Sequence, residues 1–224
     1  MMVSMETQTT PDSTARLTPL SGPGPLLSET TLTLHTVYAW QLIHGRPKNA
    51  DSPAIIGLLG FASMLNPLAA KAKAGSVAAV EAMGEIDNEL KLARKRLKTV
   101  RDELDSLSET TLGIGYSMPV SVLPVRVSLK FLVPQAYLAA RLVAEFDQIM
   151  CWRSVLARTQ AVSASRSHDI MRHSGRSMRR LLASVLRVSL SLQDDEAKSS
   201  QETDAPVDAD LPTDVPAPNQ SETS

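Results

Sequence analysis

The chain has 224 residues, 43% hydrophobic and 4% aromatic, with a formal net charge of −1. That length suits one domain with extensions and is enough to bury a core. A single cysteine, Cys151, excludes an intrachain disulfide and a cysteine-based metal cluster. The longest nearly apolar run, residues 53–65, is too short to span a bilayer. No cationic start followed by an apolar stretch marks a signal peptide, so the expected location is a reducing cytoplasm, with no membrane partner.

The near-neutral balance conceals a split. Residues 191–224 hold nine acids against Lys198 and sum to −8, which leaves +7 on residues 1–190. The window 151–190 alone carries eight arginines, no lysine and one acid, Asp169. Segregation of this kind suits a polyanion-binding body with an acidic tail.

In chain order, residues 1–28 are polar and rich in Pro, Thr and Ser and read as a disordered arm. TLTLHTVYAWQLIH, residues 31–44, opens with a strand-like alternation at Leu32 and Leu34 and turns helical before Gly45 and Pro47 end it. Asp51-Ser52-Pro53 is a cap followed by a first-turn proline, which predicts an apolar helix from there. Asn66-Pro67 repeats that start signal. Between residues 81 and 107, Met83, Ile86, Leu90, Ala93, Leu97, Val100, Leu104 and Leu107 fall at alternating spacings of three and four. This is a heptad seam on a long amphipathic helix, closed either within the chain or against a second copy.

Gly113-Ile-Gly115 breaks that helix, and PVRVSLKF at 124–131 follows. Its strict alternation predicts a half-buried strand with Val125, Val127 and Leu129 on one side and Arg126, Ser128 and Lys130 on the other. Pro134 opens a helix to about residue 159, and the polar SASRSH stretch (163–168) separates it from a last helix over about 167–190. Ile170, Met178, Leu181, Val185 and Val188 of that helix point inward, and its arginines take the remaining arc. The tail 191–224 is expected to be disordered.

No catalytic constellation assembles from these residues. His35, His44, His168 and His173 lack metalloprotease spacing, and neither a P-loop nor a nucleophile elbow occurs. Glu145 and Asp147 are two residues apart on a helix and do not share a face. No catalytic residue, metal, cofactor or small-molecule ligand is assigned. Binding chemistry is better supported. A basic strand face offers Arg126, Ser128 and Lys130 to base edges. A helix N-terminus near Ser165, Arg166 and Ser167, with Arg172 and Arg176 further on, suits phosphates.

LHTVYAWQLIHGR (34–46), PAIIGLLGF (53–61), PVRVSLKF (124–131) and AYLAARLVAEFDQI (136–149), in that order, resemble the AcaB-like regulators of integrating conjugative elements and conjugative plasmids. The resemblance covers about residues 30–190 and implies a DNA-binding transcriptional regulator of conjugative-transfer genes with a dimeric ribbon-helix-helix element. It places Arg126, Ser128 and Lys130 on the ribbon and Ser165, Arg166 and Ser167 at the phosphate-contacting turn.

The expected fold is mainly α: a helical scaffold over 29–112 and a ribbon-helix-helix-like, strand-helix-helix region over 118–190. Two chains are expected to pair residues 124–131 as an antiparallel ribbon, because a lone strand is marginal. The expected partners are therefore double-stranded DNA and a second copy of the chain. The rival reading is a structural component of the conjugation apparatus whose heptad helix binds another protein.

Overall fold

The computed structural model describes residues 28–47, 54–112 and 119–202. Among these, two strands and five helices follow in the order β1 (Ser28–Leu34), α1 (Val37–His44), α2 (Leu58–Lys73), α3 (Val77–Leu112), β2 (Val125–Phe131), α4 (Pro134–Arg158) and α5 (Ala164–Glu202). The arm 1–27, the proposed cap at 51–53, the Gly113-Gly115 break and the tail from 203 lie outside the described residues.

The alternating stretch over 125–131 is a strand, as its period of two requires. Its partner is found within the chain. β2 pairs antiparallel with β1 of the same chain, with Thr31 opposite Ser128 at the centre of the register and Ser28 opposite Phe131 at one end. The alternation in TLTL is therefore half of an intramolecular ribbon, which corrects the expectation of a ribbon built from two copies of 124–131. Leu34, Leu129 and Phe131 are buried on its inner face, and the Tyr137 ring meets Phe131 edge-on at 5.2 Å. Each strand leads into a helix pair, so strand, helix, helix occurs twice: β1-α1-α2 and β2-α4-α5.

Asp147 of α4 locks β1 into place. Only 1% exposed, its carboxylate accepts the His35 backbone N–H at 2.7 Å, the Thr36 N–H at 2.9 Å and the Thr36 hydroxyl at 2.6 Å. Thr36 is the N-cap of α1, and its Oγ1 accepts the Ala39 N–H at 3.3 Å. One buried acid thus fixes the strand-to-helix corner through charge-assisted hydrogen bonds. One turn along α4, burial, with the Asp147 charge adding to it, pushes the Cys151 thiol up to about 11. It therefore stays protonated and unreactive at neutral pH.

Two glycines shape the link from α1 to α2. Gly45 has φ +74°, and a Cβ on either Gly45 or Gly57 would collide with the other's backbone segment. Their close approach carries the Arg46–Ile55 bridge and keeps residues 54–57 out of the helix. α2 accordingly starts at Leu58 rather than at Pro53, and it continues through Pro67 instead of restarting there. Tertiary burial of Phe61, Leu65 and Leu68 on both sides of the proline outweighs the hydrogen bond that Pro67 cannot donate.

The heptad seam closes inside the chain. Ile86, Leu90, Ala93, Leu97 and Leu104 are buried, and α3 packs on α2, α4 and α5. Burying each of the larger side chains is worth about 1.5–3 kcal/mol, so the stripe is spent on the core. α5 begins three residues earlier than expected and runs through Glu202, carrying the start of the acidic tail as helix.

Replacing Asp147 with alanine strands two backbone N–H donors and a hydroxyl at a buried corner. A loss of about 3 kcal/mol is expected, or roughly 6–12 °C in Tm for a chain of this size. Thermal unfolding followed by circular dichroism checks this; a change under about 2 °C would show that the corner holds without the carboxylate.

Candidate nucleic-acid interface

The ribbon turns a six-residue polar face outward. Glu29, Thr31 and Thr33 of β1 lie opposite Lys130, Ser128 and Arg126 of β2, and all six are exposed. Directly opposed residues share a face, so the six side chains form one patch about two strands wide. The three base-contacting candidates, Arg126, Ser128 and Lys130, are brought together there as the alternation requires.

β1 brings an acid, Glu29, to the basic strand face. The Ser128 hydroxyl donates a short hydrogen bond to Glu29 Oε1, and Lys130 Nζ stands 3.6 Å from Glu29 Oε2. The Ser128 hydroxyl, and after it the Lys130 charge, hold the Glu29 carboxyl below the usual carboxylate range. Arg126 lies at the other end of the face, opposite Thr33, and makes no ion pair with a described residue.

The arginines of α5 divide into two rows. One row faces α3 and is paired. Arg166 forks onto Glu103, with Nε–Oε1 at 2.9 Å and Nη2–Oε1 at 2.6 Å. Arg180 and Arg187 both reach Glu89, at 3.1 and 3.4 Å. The second row, Arg172, Arg176 and Arg179, is exposed and makes no ion pair among the described residues. Burial, then the neighbouring Arg176 and Arg46 charges, lower the pKa of Arg179. The positive charge is therefore concentrated on one side of the helix.

The expected phosphate-binding turn is not built as the sequence implied. Ser165, Arg166 and Ser167 lie in the first turn of α5 rather than in a loop. Ser163 already caps it: its Oγ accepts the Arg166 N–H at 3.2 Å, and its carbonyl accepts the Ser167 N–H at 2.9 Å. Ser165 is exposed, whereas Ser167 is buried and cannot reach a duplex. Arg166 is held by Glu103, which keeps its guanidinium charged but occupied. Arg172 and Arg176 remain open. Glu29, Thr31, Thr33 and Arg179 are candidate interface residues that sequence reasoning missed, and the TLTL alternation was the available signal for two of them.

A family model described as transcriptional regulator AcaB matches residues 22–209, a span that contains both strands and all five helices. The chain belongs to the AcaB family. AcaB proteins are transcriptional regulators by that description, and the function of this chain is regulation of transcription. The fold is similar to the crystal structure of selenomethionine-containing AcaB from uropathogenic E. coli, with a TM-score of 0.67 at 13% identity. That likeness covers 80% of this chain and 88% of the E. coli AcaB chain. No curated protein matches the sequence. Among the described residues, no helix is long and apolar enough to cross a membrane and no cluster of three metal-ligating side chains occurs.

The Glu29 contact has a direct readout. In an NMR titration its carboxyl is expected to protonate below the ordinary value of about 4.3, and Ser128→Ala is expected to move the midpoint back up. An ordinary midpoint in the unmutated chain would show that the cross-strand contact is not held in solution.

Proposed function

We propose that this AcaB-family protein is a sequence-specific regulator that binds double-stranded DNA by inserting the β1–β2 ribbon into the major groove. The observation that carries the reading is the outward face of the ribbon, where Arg126, in no ion pair with a described residue, stands beside Thr33, Thr31 and Ser128. A two-stranded antiparallel ribbon has the width that a major groove admits. Arg126 suits guanine O6 and N7, while Ser128 and Lys130, with the threonines, suit neighbouring edges. Arg172 and Arg176 are assigned to phosphates, which supply affinity without sequence information.

The repeated strand-helix-helix order supports a ribbon-helix-helix reading in which both strands come from one chain. Homodimerisation is then unnecessary for the ribbon and keeps only the family resemblance as its support. Conjugative-transfer genes of a mobile element are the proposed targets on that same resemblance. The rival reading, a scaffold protein docking through the heptad helix, loses its main feature because the seam of α3 is buried in its own core. Membership in a regulator family likewise favours a protein without catalytic activity.

Retardation of a promoter fragment from the surrounding element, against excess competitor, tests the proposal. Arg126→Ala is expected to cost about 1–3 kcal/mol at its base pair and relax specificity there. Arg172→Ala and Arg176→Ala should weaken binding to all sequences and each reduce the salt slope by roughly 0.9. Unchanged discrimination by Arg126→Ala would remove the ribbon from the recognition surface.

A further inference from the structure

Beside the unpaired row of α5 lies a cavity of about 600 Å³. Its rim carries Arg46, from the segment after α1, and Arg172 and Arg179 from α5. Its walls are largely apolar, with Ile56, Met171 and Leu186 among them, and no carboxylate of a described residue lines it. The volume falls within the usual range for small-molecule sites, about 300–1,000 Å³.

Three features set this cavity apart from a solvated arginine face. Arg166, Arg180 and Arg187 of α5 are answered by Glu103 or Glu89, yet Arg172 and Arg179 have no such acid among the described residues. Arg179 is also seated rather than free: its Nη1 lies 3.1 Å from where a Cβ on Gly175 would stand. Burial and the Arg176 and Arg46 charges disfavour its charged form, an arrangement that an incoming anion relieves. Finally, the apolar walls are concave. A duplex backbone is convex and hydrated, so phosphates can touch the rim but leave the interior empty.

We propose that this cavity binds a small amphipathic anion, whose apolar body fills the space between the 54–56 segment and α5 and whose carboxylate or phosphate head is clamped by Arg172 and Arg179. Planar guanidinium groups recognise either head by paired hydrogen bonds. One wall comes from the β1-α1-α2 half and the other from α5, so an occupant bridges the two halves of the fold. The inference goes beyond the DNA-binding reading and does not rest on it.

The test uses the full chain without DNA, so either reading can fail alone. Anilinonaphthalene sulfonate, itself an apolar body with an anionic head, is titrated by fluorescence and then displaced with decanoate and with decyl phosphate. One saturating site per chain is expected, and the stronger competitor identifies the head. Arg179→Gln should weaken binding about 10-fold, equivalent to one lost charge-assisted contact. Gly175→Ala, which pushes the guanidinium off its seat, should act in the same direction and keeps the test open if Arg179→Gln fails to fold. Arg187→Gln, on the paired row, should leave the affinity unchanged. Absence of a saturable site, equal affinity in the Arg179 and Gly175 variants, or displacement by a short duplex but by neither amphiphile would overturn the proposal.

Discussion

The Asp147 carboxylate sits inside α4 and accepts both backbone N–H groups of the corner that joins β1 to α1, together with the hydroxyl of the residue capping that helix. More than a hundred residues separate the acid from the groups it holds. Closing so large a loop carries an entropic cost that grows only slowly with length, but a two-stranded ribbon is marginal by itself. The ladder between β1 and β2 therefore depends on being anchored at its end, and this buried acid is the anchor. Without it, Thr31 and Thr33 have no fixed register against Ser128 and Arg126, and the outward face loses its geometry.

From that anchor the rest of the interface follows. The ribbon exposes alternate side chains because Leu34, Leu129 and Phe131 are buried beneath it. α4 runs directly from β2 and supplies Asp147, so the helix that ends one strand fixes the other. α3 packs on α2, α4 and α5 and binds α5 through its acids, with Glu89 and Glu103 taking one row of arginines. The charge left over lies on Arg176, beside Arg180 and Arg96, and on Arg172 and Arg179 at the cavity. Exposed ion pairs of this kind contribute about 0–1 kcal/mol each, so their consequence is the distribution of charge more than stability.

Much of the helical architecture was legible. Pro134 opens α4 because a first-turn proline gives up no hydrogen bond, and the seam of α3 is readable because its period matches the helix. β2 was legible for the same reason at a period of two. β1 was only half visible: TLTL alternates, but nothing local says that its partner lies some 97 residues away. The start of α2 was missed because Gly45 and Gly57 act by touching each other, a tertiary fact that a cap motif at residues 51–53 obscures. Glu29 is a similar case, since its effect on Lys130 exists only once the strands are paired. The polar composition of SASRSH signals a turn, but Ser163 caps the helix there and Ser167 lies buried in its first turn.

The central claim is that one chain supplies both strands of the ribbon, and cross-linking at its centre tests this most directly. With Thr31→Cys and Ser128→Cys in the same chain, mild oxidation should form an intrachain disulfide, because directly opposed side chains lie within bridging range. The product should run as a monomer on a non-reducing gel, and Ser128→Cys alone should give no covalent dimer. Disulfide-linked dimers from the single variant would mean that β2 pairs with itself across two chains, and the account would be wrong.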